Sequence, residues 1–206
     1  MSEPTRPPLS SHLIAGTWRF TVVALLGFAP WALGGSWFYR NIGEIGLYSV
    51  CLAAFLFGAL LLLPPLLLGE HRYRRTALSI IPAYTLYAII WCGCWFALGG
   101  KLGEWIGAIL GGTAFVLFCA WRLGRPSAIF IACLLFVSVH AGGYFAGDAA
   151  MTWCKAQAFP KSIGMWAWGL CYGLGFGVGL GYVVAVCQQA KDKAKDKSHV
   201  VSQVVT

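Results

Sequence analysis

Long apolar runs alternate along this chain with short clusters of charge. Six stretches, residues 18–39, 45–69, 76–98, 105–121, 127–147 and 162–187, are apolar over most of their length. About 20 such residues suffice to cross a bilayer as a helix. Each stretch therefore predicts a transmembrane helix; the fourth is the shortest and is interrupted by Gly111-Gly112. The expected fold class is all-α, a polytopic bundle of six transmembrane helices. Its parts are a polar, proline-rich arm (1–17), a membrane domain (18–187) and a charged tail (188–206).

Composition agrees with the pattern. Of 206 residues 59% are hydrophobic and 11% charged, more apolar surface than a soluble domain of this length hides in one core. Charge then sets the orientation. Arg6, Arg19, Arg72, Arg74, Arg75, Arg122, Arg125 and Lys191, Lys193, Lys195 and Lys197 make eleven of the fifteen basic residues, all on one side of the six runs. Arg40, Lys101, Lys155 and Lys161 fall on the other. Basic residues are retained on the cytoplasmic face, so both termini are expected in the cytoplasm, with the protein in the cell (cytoplasmic or inner) membrane. The net charge of +8 reads as a belt facing anionic lipid headgroups. A nucleic-acid partner is not expected, because the basic residues are not interleaved with stacking aromatics in a soluble domain. Ala32-Leu33-Gly34 resembles a signal cleavage site, but the polar lead-in and bulky Trp31 favour a retained first helix.

The stretch GLCYGLGFGVGLGY (169–182) sets glycine at nearly every second position. A lone strand cannot satisfy its backbone in lipid, so the stretch is read as a helix at about 100° per residue. Gly169, Gly173, Gly177 and Gly181 then share one face, and Gly164, Gly175 and Gly179 another on nearly the opposite side. Small residues let neighbouring backbones approach closely. The last run is thus expected to be central, or pressed between a neighbouring helix and another subunit. Phe176, in the bulky sector between the faces, is expected to accept leucine mildly. The alternation at 173–181 resembles the inner helix of rotor-ring subunits of ATP synthases. No Asp or Glu lies mid-run here, so the resemblance implies close packing and nothing about activity.

Candidate chemistry is sparse. His140 lies deep within the fifth run, about 20 Å from its cytoplasmic boundary. Tyr144 and Asp148 follow one and two turns later, so a polar track could lead inward from the outer surface. Intramembrane ionisable residues are functional candidates; the competing reading is a packed, hydrogen-bonded imidazole. The eight cysteines read as small core residues, with Cys154 alone in an outward loop. Neither catalytic nor metal-ligating nor cofactor-binding residues are recognised, and no cofactor is expected. Pro30, Pro64-Pro65 and Pro82 should kink their helices. Gly34-Gly35, Gly99-Gly100 and Gly142-Gly143 read as helix ends. Trp18, Trp37, Trp105, Trp121 and Trp153 read as interface anchors, while Trp91, Trp95, Trp166 and Trp168 are bulky packing or site lining.

Two functions follow as expectations. The first is a structural or assembly subunit acting through close helix packing, in a homo-oligomer or a larger membrane complex. The second is a small transporter or channel for a neutral or lipid-like solute.

Overall fold

The computed structural model describes residues 8–204, with side chains described to residue 190. Among the described residues five α-helices make up the fold: α1 (Leu9–Leu62), α2 (Arg72–Leu98), α3 (Gly100–Leu123), α4 (Ile129–Ala156) and α5 (Lys161–Val204). All five are long and apolar enough to cross a membrane. Where two separate runs were expected at 18–39 and 45–69, the structure has one element. It loses helical geometry only at Gly43, with φ 72° and ψ −178°. That conformation is open to glycine and closed to most side chains.

The two arms of α1 on either side of Gly43 lie antiparallel. Arg19 Nη1 donates to the Leu62 carbonyl at 2.9 Å. Further along, Gly58 faces Val23 and Gly27 faces Phe55. As the first arm advances from 19 to 27, its partners retreat from 62 to 55, the register of a hairpin. The second arm stops at Leu62, short of the expected residue 69. Proline lacks the donor a helix interior needs, and Pro64–Leu66 form a 3-10 turn instead. The buried Gln188 amide ties this turn to α5: the Leu68 N–H donates to its Oε1 at 2.7 Å, and its Nε2 donates to the Leu66 carbonyl at 3.2 Å.

Other expectations need correction. The helix starts at Leu9, inside the stretch expected to be an arm; residues 1–7 lie outside the described residues. Gly34-Gly35 and Gly142-Gly143 lie inside α1 and α4, and only Gly99-Gly100 ends a helix. Gly99 and Gly100, at φ 66° and 50°, join α2 to α3 with no intervening loop. Pro30 and Pro82 sit inside α1 and α2, as the runs placed them. Cys154 is not in a loop: it is buried in the last turns of α4.

α5 is the central element, packed chiefly against α1 on one side and α4 on the other. Gly173 meets Thr21 and Ala24, and Gly177 meets the backbone of Gly16 and Thr17. Gly169 meets Phe28, and Gly181 meets the His12 carbonyl. On the other face Gly175 meets Val139 and Gly143, Gly179 meets Phe136, and Gly164 meets Met151 and Cys154. A second stripe runs along α3: Gly103, Gly107 and Gly111 face Cys94–Trp95, Trp91 and Tyr87 of α2. Phe176 is fully buried amid Phe20, Phe115 and Phe136, at ring-centroid distances of 4.3, 5.1 and 5.0 Å. It is therefore the hub of the core, where a leucine would forgo these ring contacts.

Candidate functional site

Close packing of α5 against α1 and α4, and of α2 against α3, leaves the second arm of α1 only lightly applied to α2. Between them, in the half of the bundle away from the termini, lies a cavity of about 330 Å³. Eleven of its eighteen lining residues are aromatic and none is charged. The first arm of α1 contributes Phe28 and Trp31, the second Tyr48, Cys51 and Phe55. From α2 come Tyr84, Tyr87, Trp91 and Cys92; from α4, Tyr144; from α5, Trp168 and Tyr172. Ile45, Ile89 and Phe96 stand at its rim with much of their surface exposed.

Glycine holds this wall in place. Phe55 rests on Gly27, Phe28 on Gly169, Tyr87 on Gly111, Trp91 on Gly107 and Trp168 on Gly147. In each pair the ring belongs to one segment and the glycine to another, so the backbones approach while the ring spreads beside them. A methyl group at Gly107 would stand 3.0 Å from the Trp91 ring and 3.1 Å from its backbone. The same group at Gly27 or Gly147 would run into the Phe55 or Trp168 ring outright.

The polar atoms of the wall are hydroxyls, thiols and indole N–H groups. The Tyr84 and Tyr172 hydroxyls lie 3.4 Å apart. The Tyr87 hydroxyl lies 3.1 Å from His140 Nε2, and the Ser49 hydroxyl donates to the Ile45 carbonyl at 2.8 Å. Tyr144 stands between two indoles, 5.6 Å from Trp91 and 5.5 Å from Trp168 by ring centroids. Among the described residues, the N–H groups of both indoles are buried without an acceptor, as is His140 Nδ1. A buried group left unpaired costs about 1–3 kcal/mol, and such groups are uncommon in folded proteins. Two of the three belong to residues that line the cavity.

The structure divides the expected track of His140, Tyr144 and Asp148. His140 is fully buried behind Tyr87, outside the cavity lining, while Tyr144 is part of that lining. Asp148 turns to α3 instead and accepts from Lys101 Nζ at 2.7 Å, which also donates to Glu104 at 2.9 Å. Trp91 and Trp168 line the cavity, whereas Trp95 and Trp166 are not among its lining residues. Trp18, Trp37, Trp105, Trp121 and Trp153 are all exposed on the surface. Tyr84, Tyr87 and Tyr172 were missed by sequence reasoning; on α2 the spacing of Tyr84, Tyr87 and Trp91, three and four residues apart, was the available signal. Among the described residues no three His, Cys, Asp or Glu side chains converge as metal ligands would.

Comparison with known protein families, curated proteins and solved structures finds no match to this chain.

Proposed function

We propose that this protein binds a small neutral, lipid-like solute in the aromatic cavity, as a membrane-embedded carrier or receptor. The observation that carries this reading is the wall itself: eleven aromatic residues, no charge, and about 330 Å³ of space. That volume sits at the small end of ligand pockets, about 300–1,000 Å³. A charged solute would be left without a counter-ion in a medium that penalises it heavily.

In this reading the chain crosses the membrane six times, counting the two arms of α1 separately, with both termini in the cytoplasm. The eleven-to-four division of basic residues supports that orientation. The cavity then opens toward the outer leaflet, and the basic belt meets anionic headgroups at the inner one. Below the cavity, Phe20, Phe115, Phe136 and Phe176 fill the inner half, which favours a binding site over an open channel. A role in assembly drew its support from the glycine alternation of α5. Both glycine faces are used within the chain, so that support passes to the cavity.

The test is native mass spectrometry of protein released from lipid nanodiscs made directly from its own membranes. A small molecule should co-purify with the wild type and be lost from Ala88→Trp, which fills the cavity from α2. Equal retention by a folded Ala88→Trp variant would overturn the reading, as would a wild type that carries nothing and takes up nothing from a lipid extract.

A further inference from the structure

We infer that the cavity's occupant is a neutral, flat ring bearing carbonyl oxygens on an apolar tail, the chemistry of a lipid-soluble quinone. This rests on the reading of the cavity as a solute site and names the chemistry that fits it.

Hydrogen-bonding capacity decides the class. An indole N–H can only donate, and those of Trp91 and Trp168 have no acceptor. Trp168 Nε1 lies on the edge of its ring that rests on Gly147, and the Trp91 ring edge beside its N–H rests on Gly107, so a guest meets either donor only if the indole turns. Turning costs neither of them a hydrogen bond, because neither makes one. A guest that brings acceptors gains two donors on either side of Tyr144. A guest rich in donors of its own, such as a polyol, finds no carboxylate and no side-chain amide in the lining. A quaternary ammonium would be drawn to the aromatic faces, yet it would leave both indoles unpaired. The acceptor-only guest is the one that answers the wall.

Shape and size give the rest. Aromatic walls favour a flat ring, through offset or edge-to-face contact. About 330 Å³ holds a ring head but not a whole lipid. The rim at Ile45, Ile89 and Phe96 is apolar and exposed on the side of the bundle. A tail leaving between the second arm of α1 and α2 would pass straight into hydrocarbon.

The experiment measures saturable binding of a radiolabelled naphthoquinone carrying one short isoprenyl tail. The full-length protein is held in phosphatidylcholine nanodiscs, with protein-free nanodiscs as the blank. Competitors are the naphthalene hydrocarbon and a quaternary ammonium, each with the same tail. The quinone should bind at least about tenfold more tightly than the naphthalene, as two hydrogen bonds warrant. Trp91→Phe and Trp168→Phe should each weaken the quinone about three- to tenfold and leave the naphthalene unchanged. Equal binding of quinone and naphthalene, or tighter binding of the ammonium, overturns the ring-carbonyl assignment. If those competitors are lost from Ala88→Trp, the cavity reading survives that outcome. Binding of none of the three, or binding unaffected by Ala88→Trp, brings down both. Should a tryptophan variant fail to fold, the wild-type ranking decides alone.

Discussion

Phe176 of α5 lies flat on Phe20 of α1, with ring centroids 4.3 Å apart and planes inclined by 13°. Both rings are buried, and around them stand Tyr84, Tyr172, Phe115 and Phe136. Four of the five helices therefore meet α5 at a single side chain. Phe176→Ala should cost about 3–5 kcal/mol, the range for deleting a buried ring, read as a loss of thermal stability in detergent. Phe176→Leu should also destabilise measurably. Wild-type stability for the alanine variant would show that the rings contribute little to the core.

The glycine faces of α5 should prove equally intolerant. A methyl group at Gly177 would stand 2.8 Å from the Gly16 carbonyl oxygen, and one at Gly175 would stand 2.6 Å from that of Val139. Backbone cannot step aside as a flexible side chain can, so Gly177→Ala and Gly175→Ala should each lose about 1–3 kcal/mol. Leucine at either position should abolish folded yield. Gly142→Ala supplies the control. That glycine is helical and exposed, with no neighbour within reach of an added methyl, so alanine should stabilise by about 0.5–1 kcal/mol. Detergent-solubilised yield and melting temperature across the three variants check the ordering.

The pair formed by His140 and Tyr87 should behave as a structural unit. Their atoms are 3.1 Å apart in a fully enclosed setting, and interhelical hydrogen bonds in membranes contribute about 0.6–2 kcal/mol. His140→Ala and Tyr87→Phe should each lower stability, and the double variant should lose less than the sum of the two. Additive losses in that cycle would mean that the contact carries no coupling energy.

Orientation is open to chemical labelling. Tyr73 and Leu102 are both well exposed, at 60% and 62%, on opposite ends of the bundle. In a cysteine-free background, Tyr73→Cys should react with a membrane-impermeant thiol reagent only from the cytoplasm, and Leu102→Cys only from outside. The reverse pattern would invert the orientation and move the cavity to the inner leaflet.

Periodicity and lipid physics explain which features could be read from residues alone. Spacing at about 100° per residue separates Gly169, Gly173, Gly177 and Gly181 from Gly175 and Gly179, and in the structure the two sets meet α1 and α4. Periodicity says that two faces exist but not which helices fill them. The two arms about Gly43 were legible as separate runs, but that a single glycine joins them without a loop was not, because one glycine in a polar stretch looks like any short connection. Polarity could not separate inside from outside either. Phe136 is fully buried and Phe130, on the same helix, is 77% exposed, since lipid accepts an apolar ring as readily as a core does. The cavity was out of reach for a further reason: its wall is assembled from five separate segments, and no stretch of sequence contains more than a fragment of it.

The rings that rest on glycines bear on how such a site can change. The residues that fix the cavity's outline include Gly27, Gly107, Gly111, Gly147 and Gly169, each beneath a lining ring carried by a different segment. Replacing one of them by alanine or serine would displace the overlying ring, most at Gly27 and Gly147, and reshape the chamber without substituting any residue that lines it. The shape of the chamber can thus drift through positions outside its lining, and a library built on those five glycines would explore cavity shapes that substitutions in the lining cannot reach.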